Sequence, residues 1–138
     1  MNGILTAVAA IIIFAVLIFV HELGHFIAAK ALGVKVMEFA LGMGPKIVSK
    51  QWGETIYSIR IFPIGGFCAM EGEDEKATSE RSFSSKKPWK RLIILFSGAL
   101  MNILLGFVLL VGLTSTSTGF VVPEIEKISI GSAAEESG

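Results

Sequence analysis

His21 and His25 stand four residues apart, with Glu22 next to the first, in the stretch His21-Glu22-Leu23-Gly24-His25. On a helix that spacing projects both imidazoles from one face, about one turn apart. Two ring nitrogens can then reach one Zn²⁺, and the carboxylate beside the ion can act as general base for a bound water. So short a pattern also arises by chance. Its location argues against chance: Ile4 through Val20, just before it, carry no charge and a single polar side chain, Thr6. Ionisable groups within lipid are costly to keep and mark function. Gly24 has no side chain, which leaves room for another backbone or a substrate to approach.

The elements that must position these residues follow from hydropathy. The apolar run continues to Ala29, giving a first transmembrane helix from about Ile4 to Ala29, about 39 Å long. Lys30 can snorkel from its end, and Gly33 is a natural helix stop. A second uncharged run, Leu92 to Leu113, makes a second span of about 33 Å. Gly98, Asn102 and Gly106 are spaced by four on one face of it. Small residues there let another helix approach, and the Asn102 amide can hydrogen-bond across that contact. The alternative for Asn102 is support of the active site, because polar groups in lipid are costly unless used.

Between the helices, Val36 to Pro45 is apolar with two glycines and a closing proline. Lys46–Lys50 and Thr55–Phe62 read as two short strands around a four-residue turn, a β-hairpin. Pro63 is expected to halt the second strand, and Gly65-Gly66 follows with no side-chain bulk. Two readings stay open: a surface hairpin over the helix ends, or a sheet edge facing the metal to which a substrate adds as a strand. Glu71 to Ser85 begins acidic and reads as a solvated loop without the register of a calcium loop. Lys86-Lys87-Pro88-Trp89-Lys90-Arg91 reads as an interfacial anchor. After a polar exit at Thr114–Gly119, Val121–Ile130 resembles a strand, and Ser132-Ala-Ala-Glu135 is a capping box for a short helix.

Composition agrees. Of 138 residues 52% are hydrophobic, and the mean hydropathy of +0.68 fits an integral membrane protein. Net charge is zero, so it points to no nucleic-acid partner. The single cysteine, Cys68, excludes an internal disulfide and reads as a small half-buried apolar residue. The start lacks the basic flank and cleavage site of a secretory signal, so the first helix is expected to stay in the mature protein. Eleven of the twelve Lys and Arg fall between Lys30 and Arg91, which places that segment in the cytoplasm and both termini outside.

Taken together, the motifs resemble the N-terminal part of a bacterial site-2 protease, an intramembrane zinc metalloprotease of the PDZ-containing type. The resemblance rests on His21-Glu-Leu-Gly-His25, Gly42-Met-Gly-Pro45, Pro63-Ile-Gly-Gly-Phe67, Lys87-Pro-Trp-Lys-Arg-Leu92, Ser97-Gly-Ala-Leu-Met-Asn102 and Gly131-Ser-Ala-Ala-Glu-Glu-Ser-Gly138. It implies that His21 and His25 are Zn²⁺ ligands and that Glu22 is the catalytic base. It implies a membrane-associated β-element that presents substrate, with Gly42, Gly44, Gly65 and Gly66 as substrate-binding positions. The fold class expected is a two-span α-helical membrane protein with an intervening β-hairpin and the start of a PDZ-like domain. Its divisions are residues 1–30, 31–91, 92–113 and 114–138. The partners implied are transmembrane protein substrates and the lipid bilayer, in the bacterial plasma membrane. Ala99 and Ala133 stand where the family usually has proline. The family's third zinc ligand, an Asp in an Asn-x-x-Pro-x-x-x-Leu-Asp-Gly motif, has no match here, so the chain reads as a fragment, inactive alone. Two rivals remain: a truncated, non-catalytic paralogue acting as a binding scaffold, and a metal-binding membrane protein without hydrolysis.

Overall fold

Helix α1 runs from Gly3 to Ala31 in the computed structural model, which describes residues 2–74, 77 and 79–116. The expected strand, short helix and PDZ-like start beyond Thr116 lie outside the described residues. α1 ends as its sequence predicts. Gly33 takes φ 74°, Val34 N–H donates to the Ala29 carbonyl at 2.8 Å and Gly33 N–H to the Lys30 carbonyl at 3.2 Å. This is a Schellman closure, with Val34 buried behind it. Helix α2 spans Pro88–Thr116. Proline suits its first turn, where an N–H would lack a partner. The helix outlasts the expected end at Leu113, and the Thr114, Ser115 and Thr116 hydroxyls in its last turn donate back to carbonyls of the preceding turn. Both helices are long and apolar enough to cross a membrane, and most of their large apolar side chains are exposed.

The hairpin is far larger than its sequence suggests. Strand β1 covers Val36–Trp52 and β2 covers Thr55–Met70, an antiparallel pair joined by the two-residue turn Gly53-Glu54. Antiparallel pairs run from Lys46↔Arg60 to Trp52↔Thr55 near the turn, and from Val36↔Met70 to Leu41↔Gly66 at the base. Between them, Glu38↔Ile56, Phe39↔Tyr57, Ala40↔Ser58 and Leu41↔Ile59 rise together in both strands. The start of β1 therefore lies between the end and the start of β2, and the ribbon curls into a four-segment sheet. Gly42 (φ 86°) and Gly65 (φ 92°) supply the left-handed backbone at the bends. Pro63 does not halt β2. It falls in an unpaired stretch between Met43↔Phe62 and Leu41↔Gly66, on an outer segment where its missing N–H breaks no ladder bond.

The core sits where the end of α1, the base of the sheet and the start of α2 meet. Ala29, Val34, Val36, Phe39, Cys68, Met70, Phe83 and Ile94 are buried together. Phe39 is the hub, edge-on to Phe19 and Phe26 and tilted against Tyr57. The acidic loop, expected to be solvated, is a strap in its described part. Lys35 pairs with Glu71 at 2.8 Å, Phe83 N–H donates to the Glu71 carbonyl at 2.7 Å, and Ser82 and Phe83 are buried. Glu54 at the hairpin turn joins Lys30 of α1 (2.6 Å) and Arg81 of the strap (2.7 Å).

Candidate active site

The two helices touch at the histidine motif. A β carbon on Gly24 would stand 2.4 Å from the Ser97 carbonyl oxygen, so glycine is what lets α2 lie against this face of α1. That approach places the Ile94 carbonyl 2.7 Å from His25 Nδ1. A carbonyl only accepts, so Nδ1 is the donor in this bond and Nε2 is the ring nitrogen left to face a ligand. Ser97 Oγ donates to the same carbonyl at 2.6 Å. The His25 Nε2 then lies 3.2 Å from His21 Nε2, with the rings nearly perpendicular at 82°.

This geometry fits a zinc ion. Two imidazole nitrogens sharing tetrahedral Zn²⁺ at about 2.0–2.1 Å lie about 3.3–3.4 Å apart. Holding a ligand histidine by its other nitrogen is also how such sites fix ring orientation. Gly98 faces the pair: an added β carbon there would lie 2.5 Å from His25 Nε2 and 2.8 Å from His21 Nε2. Among the described residues no third His, Cys, Asp or Glu joins them in a ligating group.

Glu22 lines two cavities. One, about 420 Å³, is walled by Glu22, His25, Leu95, the Phe67–Met70 segment of β2, Glu73 and Asp74. The other, about 350 Å³, lies among Phe14, Leu17, Ile18, His21, Glu22 and Asn102. Gly66 sits beside the carboxylate: a β carbon on it would come within 3.5 Å of Glu22 Cγ and 2.9 Å of the Ala40 carbonyl oxygen. Gly42 and Gly44 instead meet Phe62, and Gly65 meets Met43, all within the hairpin. The Asn102 Oδ1 is buried without a hydrogen-bond partner among the described residues. Burial, helped by the Glu22 and Glu73 carboxylates, pushes the Cys68 thiol up to about 12. Glu73 is raised too, chiefly by burial, although the Met70 N–H and His25 oppose the shift.

The sequence match settles the family. The model of Peptidase family M50 matches residues 9–136. The chain belongs to Peptidase family M50. Among curated relatives, this M50 chain is 46% identical over 131 residues to a Clostridium acetobutylicum protein and 43% identical over 129 residues to a Clostridium perfringens protein, both named "putative zinc metalloprotease". Those matches cover 95% and 94% of this chain and 38% of each relative. Over 69 residues, 50% of this chain and 16% of the relative, it is 54% identical to "Regulator of sigma-W protease RasP" of Bacillus subtilis.

Three features of this candidate site in the M50 chain were not read from the sequence. The Ile94 carbonyl is a backbone group that no residue type announces. Gly98 was read only as a packing residue. Glu73 looked like part of a free acidic loop, and its place in the larger cavity depends on the strap. Of the face spaced by four, Gly98 meets α1, whereas Gly106 has no neighbour among the described residues within 4 Å of an added β carbon.

Proposed function

We propose that the chain carries the metal-binding half of an intramembrane zinc metalloprotease, with His21 and His25 as Zn²⁺ ligands and Glu22 as catalytic base. The observation that carries this is the convergence of the two Nε2 atoms at 3.2 Å, with His25 held by Ile94. When bound, the ion supplies Lewis acidity to a substrate carbonyl and to the attacking water. Glu22 takes the water's proton and passes it to the leaving amine. Its place between the two cavities lets it face the substrate on one side and the helix cleft on the other. Asn102, with its amide oxygen free of partners among the described residues, supports the site from that cleft.

A transmembrane substrate helix hides its peptide bonds, so it must unwind to be cut. The outer segment of β2 at Phe67–Met70 offers an unpaired edge beside Glu22, where an unwound peptide regains backbone hydrogen bonds. Gly66 keeps side-chain bulk from that approach, and Gly42, Gly44 and Gly65 shape the ribbon that presents it. In this reading the two helices span the bacterial plasma membrane, the hairpin lies on the cytoplasmic side, both termini are extracytoplasmic, and the tail begins a PDZ-like domain. The two protein ligands found among the described residues are fewer than the three usual in catalytic zinc sites. The 138 residues alone therefore hold metal loosely and cleave nothing.

The test is a pattern in a version extended to the length of its relatives, with zinc content measured by atomic absorption and cleavage followed on a transmembrane reporter. Glu22→Gln keeps the metal and loses cleavage by about 10²–10⁴-fold. His21→Ala and His25→Ala lose both. Glu22→Gln cleaving at the wild-type rate refutes the mechanism, and partner binding that survives every substitution in a zinc-free protein favours a scaffold.

A further inference from the structure

Resting on the metal reading above, we propose that Gly98 is a metal-site residue: its missing side chain is part of the space in which the ion is held. The three atoms nearest to an added β carbon are all imidazole atoms, His25 Nε2 at 2.5 Å and His21 Cε1 and Nε2 at 2.8 Å. A carbon needs about 3.5 Å from such neighbours, whereas the bound ion stands about 2.0–2.1 Å from each nitrogen. A methyl group at residue 98 thus competes with the ion for the gap between the two nitrogens. The rings could make room only by swinging aside. His25 cannot swing without giving up its 2.7 Å bond to the Ile94 carbonyl, and rings that have parted no longer converge on one ion.

Helix packing alone does not account for this position. At Gly24 the obstacle to a side chain is backbone, the Ser97 carbonyl. At Gly106, on the same face of α2, nothing among the described residues lies within 4 Å. Only at Gly98 are the obstacles the two candidate ligands themselves. Alanine is the better helix former, so α2 carries glycine here against local propensity.

The experiment titrates the version extended to the length of its relatives, in detergent micelles, with Co²⁺, whose visible absorption reports nitrogen coordination, followed by competition with Zn²⁺. Gly98→Ala lowers affinity by about 100-fold or more, at or beyond the ~10–100-fold typical of losing an outer hydrogen-bond partner. Gly106→Ala binds as wild type, and both variants keep wild-type helix content by circular dichroism. Gly98→Ala that binds Co²⁺ as tightly as wild type overturns the proposal. So does a Gly98→Ala whose losses in metal affinity and in metal-free unfolding temperature both equal those of Gly24→Ala, since that marks a packing residue. Wild-type protein that binds no Co²⁺, and is unchanged by His21→Ala, instead removes the metal reading on which the proposal rests.

Discussion

Phe39→Ala should undock the sheet from the helices, and Cys68 reports it. The Phe39 ring is 8% exposed and its centroid lies 5.2 Å from Phe26, 5.9 Å from Phe19 and 6.3 Å from Tyr57. Emptying a buried phenylalanine site costs about 3–5 kcal/mol, within which the aromatic pairings account for about 0.5–1.5 kcal/mol each. At 1.4 kcal/mol per factor of ten, local opening becomes about 100- to 4,000-fold more populated. Cys68, the single thiol, is 7% exposed beneath that cluster, so its alkylation by a maleimide in micelles measures opening directly. The closed state contributes little background, since its thiol ionises only towards about 12 rather than at the ordinary 9.0. The sign follows. Stability from the protonated, buried thiol is complete below pH 9 and is lost as pH rises towards 12, so labelling should accelerate over that window even in wild type. Cys68 labelling in Phe39→Ala within about threefold of wild type would refute a hairpin held by this cluster.

Acid should loosen the clamps on the hairpin. Burial disfavours the Glu38 carboxylate, but hydrogen bonds from Ser58, Arg60 and Lys46 outweigh it and hold the group at about 2; Arg81 and then Lys30 hold Glu54 there as well. Their contribution is present above the usual 4.5 and is lost as pH falls towards 2, which the unfolding temperature measured from pH 5 to 2 should register as a progressive fall; Glu54→Gln should remove part of that dependence. Asn102→Ala should shift the unfolding temperature little, because Oδ1 has no partner among the described residues to lose, yet lower cleavage in the extended protein; a large stability loss with intact cleavage would return Asn102 to helix packing. In a Cys68→Ser background, cysteines at Thr116 or Ser132 should be labelled by an impermeant reagent from outside intact cells, and those at Lys50 or Ser79 only after lysis; outside labelling at Lys50 would reverse the orientation.

The helices and the histidine pair were legible because one period governs them. An uncharged run sets α1, and the i, i+4 spacing alone puts His21 and His25 on one face. Gly33 marked the end of α1 because its positive φ is a local property. The sheet was under-read for the opposite reason. Val36–Pro45 carries neither alternation nor turn residues at usual places, since its partners lie on both sides, in two halves of β2 far apart in sequence. Pro63 misled because a proline ends only a strand whose N–H is needed. The strap was hidden by charge: Glu71 reads as solvated until Lys35 is seen 2.8 Å away.

Where α1 stops has a consequence for what is let go. His25 lies six residues before Ala31 and twenty-two after Gly3, roughly 9 Å and 33 Å along the axis. On the proposed function, a substrate span severed at that level would part into unequal stubs. The longer keeps close to the ~20 apolar residues that hold a helix in a bilayer, while the shorter has too little grease to stay. On that function, cleavage at such a depth would be directional: one product would remain moored and the other would be set adrift on a single side of the membrane, with no further machinery needed to choose between them.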